Sequence, residues 1–97
     1  MSRASTGGRD TQRPSRPGWF HRIARSGRYV TFDWSPSVDN VGVTKYYVYR
    51  VGRASPIAIA KVSRIRFATV RGARYYVRAI DAARNRSAAS VTSLGRR

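Results

Sequence analysis

The stretch YVTFDWSPSVDNVGVTKYYVYRVG, Tyr29 to Gly52, decides how this chain must be built. Its first seven residues alternate, with Val30, Phe32 and Trp34 on one side and Tyr29, Thr31 and Asp33 on the other. That is the period of a strand with one face on a core. Ser35-Pro36 ends the run, and Asp39, Asn40 and Gly42 supply turn residues. A second alternating run follows, with Tyr46 and Val48 on one face and Lys45, Tyr47 and Tyr49 on the other. Period two rather than 3.6 predicts strands. The outward tyrosines then raise a functional question, because they stand among basic residues.

The same period recurs outward from this stretch. Gly18 to Arg25 reads as an irregular first strand, and Pro56 to Val62 as a short strand that Pro56 confines to a sheet edge. In SRIRFATV, Ile65 and Phe67 oppose Arg64 and Arg66; in RYYVRAID, Tyr75, Val77 and Ala79 oppose Tyr76, Arg78 and Ile80. AARNRS reads as a turn and AASVTSL as a last, weaker strand. Helical spacing never persists for a dozen residues. Short strands at regular spacing with turn signals between them predict an all-β, antiparallel seven-stranded sandwich. Residues 1–18, rich in Gly, Pro, Ser and Arg without hydrophobic period, read as a disordered basic tail, and 19–94 as the sandwich.

Composition narrows the functions. Ninety-seven residues suit one small core. Twenty basic residues face four acidic ones, all Asp, for a net charge of +16. Residues 1–28 hold seven arginines against Asp10, hence +6; residues 29–97 hold thirteen basic residues against three aspartates, hence +10. The sandwich itself is therefore basic and should attract polyanions, nucleic acid included, in a salt-dependent way. Only Lys45 and Lys61 are lysine, a bias that fits either anion-gripping forks or a genome that spells basic residues as Arg. With no Cys, no Glu and His21 alone, no nucleophile, base and orienter can be assembled, and no pair of residues has zinc spacing. The reading is not an enzyme, with no cofactor and no metal. No run is long and apolar enough for a transmembrane helix, and the basic N-terminus lacks the apolar core of a secretory signal.

Three stretches together resemble the fibronectin type III domain of bacterial secreted glycoside hydrolases and surface proteins: Val30 to Gly52, G-x-x-Y at Gly72 to Tyr75, and VRAIDAARNRS at Val77 to Ser87 with the residues to Ser90. The resemblance implies an immunoglobulin-like sandwich with Trp34 buried and Tyr75 as a tyrosine corner, its hydroxyl bonding nearby backbone. It implies a non-catalytic binding or spacer module whose partner is a polysaccharide or another protein domain, in an extracellular or cell-surface setting. A basic nucleic-acid or anionic-polymer binder is the alternative. The chain departs from the family at Arg84, where Gly is usual; if the backbone there has positive φ, Arg costs roughly 1 kcal/mol more than Gly.

Candidate sites follow from the strand faces. Trp34, Tyr46, Val48, Phe67, Tyr75 and Val77 are the expected core. In the implied topology the strand of Lys45, Tyr47 and Tyr49 lies beside that of Arg74, Tyr76 and Arg78, assembling an exposed face of tyrosines and cations. Such a face either covers the sheet with cross-strand pairs or stacks sugar rings and bases while arginines hold anions. Asp39, Asn40, Asp81 and Asn85, in loops at one end, read as Asx turns bonding their own backbone. A calcium site of oxygen ligands is the other reading, opposed by Arg84 and Arg86 alongside. Asp33 shares a side with Arg64 and Arg66 if their strands pair, and a cross-strand ion pair there is expected, for a few tenths of a kcal/mol.

Overall fold

A computed structural model describes residues 13–39 and 42–96. Seven strands run β1 (Gly18–Ser26), β2 (Tyr29–Ser35), β3 (Val43–Arg50), β4 (Ala58–Ala60), β5 (Arg64–Ala68), β6 (Arg74–Asp81) and β7 (Ser93–Leu94). They form a three-stranded sheet in the order β1-β2-β5 and a four-stranded sheet in the order β4-β3-β6-β7, with every pairing antiparallel. The expected all-β sandwich is what the chain forms. No helix of the described residues is long and apolar enough to cross a membrane.

The inward faces close on one core. Phe20, Val30, Phe32 and Trp34 from the first sheet meet Tyr46, Val48, Tyr75, Val77 and Ala79 from the second. Phe32 stacks on Phe20 with centroids 4.6 Å apart, and Trp34 meets the Tyr46 ring edge-on at 5.3 Å. Phe67 is half-buried and packs edge-on against Tyr75 at 5.1 Å. Each large side chain fully withdrawn from water contributes about 1.5–3 kcal/mol, so these rings hold the two sheets together. The Tyr75 hydroxyl accepts from the Val70 N–H at 2.9 Å, five residues upstream, which is the geometry of a tyrosine corner. The Arg64 guanidinium lies 3.3 Å from the Asp33 carboxylate, as the strand pairing requires.

Two regions differ from expectation, and a third meets one. First, residues 13–17, read as tail, pack on the sandwich: Pro14 and Pro17 are buried, and Ser15 exchanges hydrogen bonds with Val38 at 2.9 Å each. Proline rings carry no amide donor, so this run can be buried without orphaning its N–H groups.

Second, the last strand shrinks to Ser93–Leu94. Serine side chains do the work of a ladder before it. The Ser87 Oγ accepts from the Ala79 N–H at 2.8 Å, and the Ser90 Oγ accepts from the Val77 N–H at 3.0 Å. Their own N–H groups donate to the same residues' carbonyls at 2.9 and 3.0 Å. Residues three apart thus serve partners two apart, which ordinary pairing cannot do.

Arg84, at the position where the resemblance implies Gly, has φ of 67°, the left-handed region in which Arg was expected to cost more than Gly. The tight turn from Asp81, closed by the Arg84 N–H to the Asp81 carbonyl at 3.1 Å, imposes it. Arg84→Gly is expected to raise stability by about 1 kcal/mol, read by equilibrium denaturation. Unchanged or lowered stability would show that the turn holds Arg84 without strain.

Candidate functional site

β3 and β6 bring together most of the face that the sequence proposed. Across them Lys45 pairs with Ile80, Tyr47 with Arg78, and Tyr49 with Tyr76. These side chains project from the sheet surface away from the core, because each is one residue out of phase with Tyr46, Val48, Val77 and Ala79. Arg74 continues the same face two residues before Tyr76, at the β7 end of β6 and about 20 Å along the strand from Ile80 at roughly 3.3 Å per residue, so it stands away from the Lys45 end.

The centre of this face is closed. Tyr49, expected to be exposed, is only 2 % exposed. It stacks on Tyr76 at 5.1 Å with planes 10° apart, and the Arg78 guanidinium carbon sits 5.9 Å from both ring centroids. Arg78 donates to the Ser87 carbonyl at 3.0 Å, and Arg86 reaches the Tyr49 hydroxyl at 3.4 Å. The segment after β6 thus folds back over the sheet and covers Tyr49. Period two assigns a side chain to a face; it does not say what lies on top of that face.

The Tyr47 end is open. Tyr47 is half-buried and meets Tyr49 edge-on at 6.4 Å, so no ring is stacked flat against it there. Lys45 Nζ lies 5.6 Å from its ring centroid. Beside them runs an open groove of about 620 Å³, walled by Thr44, Lys45, Tyr47, Arg84 and Arg86, with Ile80 and Asp81 in its floor. Asp81 is 2 % exposed. Its carboxylate accepts from the Asn85 N–H at 2.8 Å and from Asn85 Nδ2 at 2.9 Å. Three cations around one carboxylate already engaged with Asn85 leave the groove net positive. It can hold an anionic group against an aromatic wall. On the other flank Ile59 of β4, 56 % exposed, is Tyr47's cross-strand partner and extends the apolar part of the surface.

Arg84, Arg86 and Ile59 were missed as site residues from the sequence. The two arginines sit in a segment read as a turn, and only the fold carries that turn over the sheet. The other loop residues behave as local structure: Asp39 Oδ2 accepts from the Gly42 N–H at 3.1 Å, closing its turn, and Asn40 lies outside the described residues. Among the described residues no group of three His, Asp or Glu side chains is placed to hold a metal.

Two sheets, an inter-sheet tryptophan and a tyrosine corner place the chain in the immunoglobulin-like class of β-sandwiches. Comparison with known proteins narrows it. No family model matches the chain. Chitinase A1 of Niallia circulans is 36 % identical over 96 residues, spanning 93 % of this chain but 13 % of that protein. A β-1,2-glucanase structure from Parabacteroides distasonis superposes over 82 % of this chain and 12 % of its own with a TM-score of 0.66 at 25 % identity. The central fibronectin-III array of RIM-binding protein matches over 80 % of this chain and 32 % of its own, with a TM-score of 0.62 at 22 % identity. The chain is a fibronectin type III domain. It is similar to segments of two carbohydrate-active proteins, and it spans only about an eighth of each.

Proposed function

We propose that this domain is a non-catalytic module of a polysaccharide-active or cell-surface protein, and that it holds polysaccharide at the Tyr47 end of the four-stranded sheet. One observation carries the reading: Tyr47 forms one wall of an open groove whose other walls include Lys45, Arg84 and Arg86. A half-exposed ring offers a flat surface to the C–H face of a pyranose. The cations around it suit a chain bearing carboxylate or sulfate groups. The similarity to a chitinase and a glucanase supports polysaccharide over other polymers. A pure spacer role is the second reading, favoured by the way Tyr49, Tyr76 and Arg78 are used up in covering their own sheet.

The test is retention on immobilised polygalacturonate, chitin and duplex DNA as salt is raised. Acid-polysaccharide retention is expected to persist at 200 mM salt and to weaken about tenfold, near 1.4 kcal/mol, in Tyr47→Ala. Retention that collapses on all three matrices as counterion release predicts, and ignores Tyr47→Ala, would mean the charge is adhesive only and the domain is a spacer.

A further inference from the structure

The opposite sheet carries a feature that the groove does not explain. In β1 the register moves from Gly18 opposite Ser35 to His21 opposite Asp33, so Trp19 and Phe20 together face the single residue Trp34. This is a β-bulge, and its first residue takes the left-handed conformation usual for Gly: Trp19 has φ of 45°. The bulge sends Phe20 into the core at 2 % exposure and throws Trp19 outward at 71 %. Glycine would serve the backbone there without strain, so an aromatic at this position calls for a reason outside the fold.

The outward ring is also held in place. It stacks on His21 with centroids 3.9 Å apart and planes 15° apart. His21 Nδ1 lies 2.6 Å from the Trp19 carbonyl oxygen, so an N–H there fixes the imidazole and, through it, the indole. One indole face is covered by His21 and the other meets solvent. Next to the stack, His21, Asp33 and Arg64 follow one another across the three strands, the last two joined at 3.3 Å. Carboxylate and guanidinium groups at that spacing are the usual partners of sugar hydroxyls, and they carry no net charge together.

We infer that Trp19 is a preformed stacking platform for a neutral, extended β-linked glycan, with the Asp33–Arg64 pair accepting and donating to ring hydroxyls beside it. Platform and groove lie on opposite sheets, so the domain has two separate contact surfaces. Neutral pyranose rings stack on an indole through their C–H faces, and the adjoining Asp33–Arg64 pair carries no net charge. Rigid presentation keeps the ordering cost of binding low.

The chain has two tryptophans, and the second, Trp34, is 3 % exposed, so acrylamide quenching reports chiefly on Trp19. Chitohexaose or cellohexaose is expected to shield the exposed tryptophan from acrylamide and shift its emission to the blue. Trp19→Gly should keep the fold, with Tm unchanged or raised because the strain is relieved, and weaken oligosaccharide binding about tenfold or more. Trp19→Phe should restore part of it. Tyr47→Ala should leave oligosaccharide binding intact, which separates a failure of the platform from a failure of the groove. Unchanged quenching with both oligosaccharides at millimolar concentration, or full binding by a folded Trp19→Gly variant, would overturn the inference and point to a protein surface against Trp19 instead.

Discussion

Tyr49→Ala is expected to lower stability by about 3–5 kcal/mol, while its neighbour Tyr47→Ala lowers it by less than about 1. Two tyrosines two residues apart on one strand face, with the same alternation, should thus differ severalfold. Tyr49 is buried beneath Tyr76, Arg78 and Arg86, and removing its ring leaves a cavity and takes the partner from a guanidinium. Tyr47 stands at the rim of the groove, where water fills the vacated space. For a domain of this size 1 kcal/mol moves Tm by about 4–8 °C, so Tyr49→Ala should melt at least about 12 °C lower. Thermal and urea denaturation of the two variants settles it. Equal, small losses would mean that Tyr49 is accessible, and the binding face would then extend over the middle of the sheet.

The second large effect is expected at Ser87 and Ser90. Ser87→Ala leaves the buried Ala79 N–H without its acceptor, and Ser90→Ala does the same to Val77. An unsatisfied buried donor costs about 1–3 kcal/mol, so the double variant should lose about 2–6. Much of a typical small domain's 5–15 kcal/mol would be gone. Hydrogen exchange gives the sharper readout: the Ala79 and Val77 amides should lose protection first, ahead of Tyr75 and the amides of β2. If those two amides stay protected in the double variant, the segment has re-paired as an ordinary strand, and the serines are replaceable. Such re-pairing would also shift Arg86 off Tyr49, because the same segment carries both.

Which parts of this were legible beforehand depends on what kind of constraint fixed them. Alternation in β2, β3 and β6 needs only that one face meets a core, so Trp34, Tyr46, Val48 and Val77 could be placed inside from period alone. An ion pair between Asp33 and Arg64 or Arg66 followed once their strands were taken to be neighbours, and the register selects Arg64. Tyr75 and Arg84 were legible through family wording, each tied to a local backbone requirement: a hydroxyl reaching five residues back, and a positive φ. The Trp19 bulge was not legible, because counting by twos assumes that no residue is inserted. Residues 13–17 looked like tail because proline-rich, charged sequence has the same composition whether it floats or docks.

By itself, then, the sequence determined the class of fold, the core faces of the central strands and the basic, cysteine-free character of the surface. These are properties of spacing and composition, which survive without knowing what lies nearby. The tertiary structure alone decided that Tyr49 is covered and Tyr47 open, that Arg84 and Arg86 leave their turn to wall a groove, and that Trp19 rather than Phe20 faces water. The reason is physical: exposure and ligand geometry depend on which distant segment lies over a face. Here that segment is held by two serine hydroxyls whose partners lie eight and thirteen residues away in the chain.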